Sequence, residues 1–197
     1  MTRSVVLEPA AAEPPGGGPG AEVKSGHMTE DMTQVDGITL EDIDPQQVIA
    51  IRKTVPMGQV GDFIGPTIGK LFGVAADAGL QTTGSSMALS YDVPTDTIDI
   101  APAVAVKDDG ATITCKLPPG VEVLTLPGGK AATLKYVGDY SGLPAQYQKL
   151  GSWVQEQGLK PRYAPWEEYL CAPGCSEDQP CEYCQNGPVT VIHWPVN

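Results

Sequence analysis

The chain has no apolar run long enough for a signal peptide or a membrane span, so neither export through a cleaved leader nor insertion as a transmembrane helix is expected. It is also poor in basic residues. Only 12 Lys and Arg stand against 24 Asp and Glu, a formal net charge of -12. Duplex nucleic acid is bound through clustered cations that neutralise phosphates, and so acidic a chain does not supply them. An acidic surface favours cationic ligands or basic protein patches instead. A nucleophile triad and a Gly-rich phosphate-binding loop are missing as well. Of the 2 histidines, His27 falls in an N-terminal segment and is read as inert. His193, in VIHWPV, has no cysteine or carboxylate cluster near it in sequence and is read as a satisfied strand histidine. Without an export signal the expected compartment is the cytoplasm, where cysteines are kept mostly as thiols or metal ligands.

At 197 residues the chain can bury one core of ordinary size. Three prolines and four glycines fall within residues 14–20, so residues 1–35 are expected to form a disordered Pro/Gly/Ala-rich tail. The folded domain is expected over 36–197, in modules of about 36–110 and 111–197 with a Cys-rich loop at 171–184. The tail is too short and too rich in Pro and Gly for a helix-turn-helix, so direct DNA binding is not expected. A sensing role would then require a separate regulatory protein partner.

What the sequence does contain is an internal repeat. IDPQQVIAIRKTV, from Ile43, aligns with TLPGGKAATLKYV, from Thr125: Pro45 falls on Pro127, Ala50 on Ala132, Lys53 on Lys135 and Val55 on Val137. Further on, Lys70-Leu71 meets Lys149-Leu150, Gly79-Leu80 meets Gly158-Leu159, and Pro94 meets Pro173. Each half reads strand, helix, strand, strand. In the first, Gln47 to Val55 is rich in β-branched residues, and Val60 to Asp77 carries Phe63, Ile64, Ile68, Leu71, Phe72 and Ala75 at helical spacing. In the second, Gly142 to Gln157 places Leu143, Tyr147, Leu150 and Val154 on one stripe. Gly79 and Gly158 end the two helices, as glycine does just past a C-terminus. The remaining strands are Met87 to Asp92 with Ile98 to Val106, and Trp166 to Cys171 with Val189 to Val196. The expected fold class is α+β: a duplicated βαββ module with pseudo-twofold symmetry, an antiparallel-rich sheet with helices on one face, and a ligand cleft between the modules.

The stretch APWEEYLCAP, residues 164–173, has a strand's aromatic content but two adjacent carboxylates at its centre. Strand alternation puts Glu167 with Tyr169 on one face and Trp166, Glu168 and Leu170 on the other.

YVGDY at 136–140, SWVQEQGL at 152–159 and PWEEYLCAP together resemble the GyrI-like effector-binding domain, the drug-binding module of several bacterial transcription activators. IDIAPAVAV at 98–106 matches the place where that family often ends in Gly-Val-Pro-Val, with Ala103 and Ala105 replacing the glycine and the proline. The resemblance implies that Glu167, two residues before Tyr169, projects into a cleft between the modules over a floor of aromatic rings. It puts Glu168 where the family usually has an aliphatic residue; on the helix-facing side Glu168 would need a partner, unless a twist of the strand exposed it. A carboxylate in apolar surroundings selects ligands that bring positive charge or a hydrogen-bond donor. Each ring around a desolvated cation adds roughly 0.5–2 kcal/mol. By parity Tyr91, Tyr140 and Tyr169 are expected in the cleft, with Tyr136 and Trp166 as further candidates. Such rings more often fill cores than line ligand floors.

Cys171, Cys175, Cys181 and Cys184 are spaced C-x3-C-x5-C-x2-C. Tetrahedral zinc held by four thiolates is the leading reading; such a site is closed and structural. Two disulfides, or an oxidant-sensing thiol pair, are the alternatives. Cys115 is read as a core thiol. The cleft itself requires no cofactor, and haem is not expected because neither histidine falls in a helix beside it.

The resemblance leaves three functions open. One is a stand-alone protein that sequesters or senses an aromatic or cationic drug-like compound. Another is a hydrolase of cyclopropane-bearing DNA-alkylating antibiotics, with Glu167 activating water and Tyr169 or Tyr140 stabilising developing charge. The third is a protein–protein inhibitor, such as of DNA gyrase.

Overall fold

The computed structural model describes residues 37–92, 94–107, 116–170 and 188–197, together with the backbone of 5–6 and 34–35. In chain order the strands and helices are β1 (Val5–Val6), β2 (Gln34–Val35), β3 (Ile38–Ile43), β4 (Gln46–Ala50), β5 (Lys53–Pro56), α1 (Val60–Asp77), β6 (Thr82–Ser90), β7 (Thr97–Val106), β8 (Glu122–Leu126), β9 (Gly129–Val137), α2 (Leu143–Glu156), β10 (Trp166–Tyr169) and β11 (Val189–Pro195). A single 3-10 turn precedes each helix, at Met57–Gln59 and Tyr140–Gly142. Among the described residues the fold is α+β, as the repeat predicts.

All strands join one sheet in the order β1-β8-β4-β7-β6-β10-β11-β9-β3-β2, with β5 extending β4 along β7. Apart from the parallel β1–β8 pair, every pairing is antiparallel. Read outward from the β6–β10 seam, the two halves correspond: β6 with β10, β7 with β11, β4 with β9, and β8 with β3. The last correspondence is an exchange. β3 precedes β4 in the chain but pairs with β9 of the other half, and β8 precedes β9 but pairs with β4.

That exchange bends the sheet. Ile43, the end of β3, is three Cα steps from Gln46, the start of β4, a reach of at most ~11 Å. In a flat sheet β3 and β4 would lie six strand spacings apart, about 29 Å. The sheet therefore rolls until its two ends meet, and the connections 44–45 and 127–128 pass against each other. A Cβ on Gly128 would stand 2.7 Å from both Cδ and N of Pro45 and 3.0 Å from the Ile43 carbonyl oxygen.

The roll creates an outer face, covered by the helices, and an enclosed inner face. Outside, α1 lays Ile68, Leu71, Val74 and Ala75 on Ile49, Val104 and Val106, while α2 lays Leu143, Leu150, Trp153 and Val154 on Ile38, Ala132, Leu134 and Ile192. Four glycines and a proline make α1 a poor helix former, so this burial, more than propensity, holds it. Gly79 and Gly158 close the helices at φ +70° and +67°, in the left-handed region expected of them. Inside, Val48, Ala50, Met87, Leu89, Ala101, Ala103, Leu124, Leu126 and Trp166 form a second core.

Two of the boundaries that differ from the sequence reading have a visible physical reason. The single strand expected over 47–55 lapses at Ile51–Arg52, although the register on β7 is unbroken from Ala50↔Ala103 to Lys53↔Ile100. Pro102 lies opposite Ile51 and accepts its N–H at 3.2 Å, but has no N–H to return. β6 begins at Thr82, five residues before the expected Met87, because pairing with β7 carries the Gly- and Ser-rich TTGSS into the sheet through a bulge between Thr82 and Ser86.

Gly128→Ala is expected to lose ~1–3 kcal/mol of stability by overpacking the crossing. Gly69→Ala, on the exposed side of α1 with nothing within 4 Å of its would-be Cβ, should gain up to ~1 kcal/mol. Urea unfolding of both variants beside the parent checks the pair.

Candidate functional site

β10 is a central strand of four residues, paired with β6 on one side and β11 on the other. Its alternation sends Glu167 and Tyr169 to the outer face, between the helices, and Trp166 and Glu168 to the inner face. The burial partners confirm the split: Tyr169 packs on Val55, Ala88, Ile98 and the α1 residues Phe63 and Ile64, whereas Trp166 belongs to the inner core.

Glu167 is partly buried and accepts two hydrogen bonds, from the hydroxyl of Tyr147 on α2 at 2.9 Å and from that of Tyr169 at 2.8 Å. Tyr140, on the 3-10 turn before α2, is 55% exposed and meets Tyr169 edge-on, with ring centroids 5.8 Å apart and an interplanar angle of 82°. The arrangement is a carboxylate held by two phenols beneath an open ring. Burial pushes the Glu167 carboxyl above its ordinary range, and the two phenol hydrogen bonds only partly offset this. The hydroxyls of Tyr147 and Tyr169 are pushed well above theirs by burial first and then by the charge of Glu167. Tyr140 shifts upward for the same two reasons. The hydrogen-bond partners of this carboxylate among the described residues are neutral phenols, so its charge is costly to keep.

Glu168 has the opposite environment. Its Oε2 lies 3.1 Å from Nε2 of His193, and the hydrogen bond from that ring, with a second from Ser85, draws its carboxyl below the ordinary range against the effect of burial. Glu168 faces inward, away from the helices, and His193 is its partner there.

Of the residues singled out from the sequence, Glu167, Tyr169 and Tyr140 come together on the outer face. Tyr136 lies on the same side, packed in the α2 core, with its hydroxyl donating to the Asp139 carbonyl at 3.2 Å. Tyr91 and Trp166 do not join them. Tyr91 packs on the inner core, with the Arg52 guanidinium 3.6 Å over its ring, and Trp166 stacks on His193. Strand parity carries the Trp166 ring to the inner face, and Tyr91 follows just past the end of β6. Tyr147 was read as part of a helix stripe; a phenol on an otherwise apolar stripe, aimed at a strand with a carboxylate, was the available signal. Cys115, Cys171, Cys175, Cys181 and Cys184 lie outside the described residues. Among the described residues no helix is long and apolar enough to cross a membrane.

Two helices over a rolled, duplicated sheet, with an acidic aromatic niche between them, define a small-molecule-binding domain. The match of residues 37–183 to the GyrI-like small molecule binding domain makes the chain a member of that family. No curated protein matches it. Among solved structures it is similar to the EcmrR C-terminal domain, at 23% identity and a TM-score of 0.64, covering 81% of this chain and 96% of that one. It is similar also to EcmrR in its DNA complex, at 24% identity and a TM-score of 0.65; the same 81% of this chain spans 57% of that longer chain. A hydrolase from Listeria innocua shares the fold at 10% identity and a TM-score of 0.55, over 81% of this chain and 91% of that one.

The two adjacent glutamates should give opposite pH signatures. Because the folded Glu167 binds its proton more tightly than the unfolded chain does, its contribution makes stability fall as pH rises from the ordinary carboxylate range to its raised value. Glu168, drawn downward, makes stability rise as pH rises from its lowered value to the ordinary range. In unfolding free energies measured from pH 3 to 8, Glu167→Gln should remove a falling component and Glu168→Gln a rising one.

Proposed function

We propose that the chain binds an aromatic or cationic drug-like compound at Glu167 and acts by sequestering or sensing it. The observation that supports this is the Glu167 carboxylate, lodged between Tyr147 and Tyr169 under the half-open Tyr140 ring, where its hydrogen-bond partners among the described residues are neutral phenols. A ligand that brings positive charge relieves the desolvation cost and gains ring contacts at the same time. Tyr140 is the entrance, Tyr169 the floor, and Tyr147 the wall contributed by α2.

One observation favours a second reading, hydrolysis of cyclopropane-bearing alkylating antibiotics. A carboxylate with a raised pKa is a suitable base for a bound water, and its two phenols could then donate to charge developing on the drug. In this reading Glu167 takes the proton, the hydroxyl adds to a ring carbon as the strained C–C bond breaks, and the released electron pair passes into the drug's conjugated system.

Titration of the full chain with a lipophilic aromatic cation such as rhodamine 6G should show saturable binding that Glu167→Gln weakens at least tenfold and Tyr140→Ala weakens less. Binding should release a proton at pH values below the raised Glu167 pKa, and calorimetry in buffers of different ionisation enthalpy reads this directly. Incubation with cyclopropane-bearing drugs, followed by mass spectrometry, separates the two readings: compounds returned unchanged support binding alone, and a water-added product beyond one equivalent, lost in Glu167→Gln, supports hydrolysis. No binding and no turnover would remove both.

A further inference from the structure

The inner face holds a cavity of about 250 Å³ lined by Ile43, Asp44, Pro45, Gln46, Leu126, Trp166, Glu168 and His193. It lies where the crossing connection 44–45 passes the inner side of β10 and β11, with the sheet between it and Glu167.

Its ionisable lining is Asp44, Glu168 and His193, the last two already hydrogen-bonded to each other. The lining includes two carboxylates, Asp44 and Glu168, and neither Lys nor Arg. Because an ionised carboxylate can only accept, the 3.1 Å contact puts the hydrogen on Nε2 of His193. Nδ1 of that ring is buried without a hydrogen-bond partner among the described residues. Trp166 stacks on the same imidazole, at a centroid distance of 5.5 Å and an interplanar angle of 23°, so the two rings form a flat platform. Ile43, Pro45 and Leu126 supply an apolar wall. Two carboxylates beside ring faces favour a ligand that brings an ammonium donor and a small flat hydrophobic group.

We propose that this inner cavity is a second ligand site, separate from the niche at Glu167, that takes a compact arylalkylammonium with its ammonium between Asp44 and Glu168 and its ring against Trp166. The volume suits one ring and a short amine arm. Glu168 is the residue that distinguishes the two sites: it adjoins Glu167 in sequence but opens to the opposite face, so each site can be disabled alone.

The probe is benzylamine, titrated into the full chain by calorimetry and by the indole N–H resonances of the three tryptophans. Binding should move the Trp166 resonance more than those of Trp153 and Trp194. Asp44→Asn and Glu168→Gln should each weaken it at least tenfold, and Glu167→Gln should change it less than twofold. Asp44 is exposed on a connection, so Asp44→Asn keeps the test decisive even if loss of the His193 partner unfolds Glu168→Gln. The proposal is overturned if benzylamine does not bind, if Asp44→Asn binds as the parent does, or if Glu167→Gln abolishes the binding. The last result would place the amine on the outer face and leave the outer reading standing; failure of rhodamine binding with benzylamine binding intact would do the reverse.

Discussion

Everything in this fold follows from two connections that are too short. Residues 44–45 and 127–128 must each join strands that a flat sheet would hold six spacings apart, and the only solution is a sheet rolled on itself. The roll turns an open surface into an enclosed one, with its own apolar core of Val48, Met87, Leu89, Leu124 and Trp166. It leaves the other surface to the helices. Gly128 and Pro45 mark the point where the two connections touch, at a separation that no side chain on residue 128 could share. The inner cavity and the outer niche are both products of this bend.

β10 shows how little sequence distance is needed to divide two chemical environments. Glu167 and Glu168 are neighbours of the same type, yet one sits among phenols under the helices and the other beside an imidazole inside the roll. Both are hydrogen-bonded. Glu167 accepts from neutral groups and is shifted upward by burial, whereas Glu168 accepts from a ring that can carry positive charge and from Ser85, and is shifted downward. At Glu167 burial outweighs the hydrogen bonds, and at Glu168 the hydrogen bond from His193 outweighs burial.

Much of this was legible in the residues. Helix α1 was read at its observed ends, 60–77, and α2 within one residue at each end, because apolar spacing and a closing glycine agree. The parity of Glu167 and Tyr169 also followed from strand geometry alone. Three things were hidden. The exchange of β3 and β8 leaves no local trace, since either strand would look the same beside its own module. The fate of Tyr91 depended on which face of β6 is enclosed, and that depends on the roll, which a pattern of alternation cannot reveal. His193 found its carboxylate 25 residues earlier in the chain, across a strand pairing, where no sequence cluster would show it.

The exchanged strands also govern how the chain reaches this structure. Each half has an edge that only the other half can cover: β3 needs β9, about ninety residues on, and β8 needs β4, about seventy-five residues back. The halves are therefore not separate folding units, despite the repeat that makes them look so. Their completion is mutual and rests on contacts of high sequence separation, the kind that slow the search for the native state and bind its parts into one cooperative transition. A duplication that began as two copies has become, through its crossed strands, a single kinetic object.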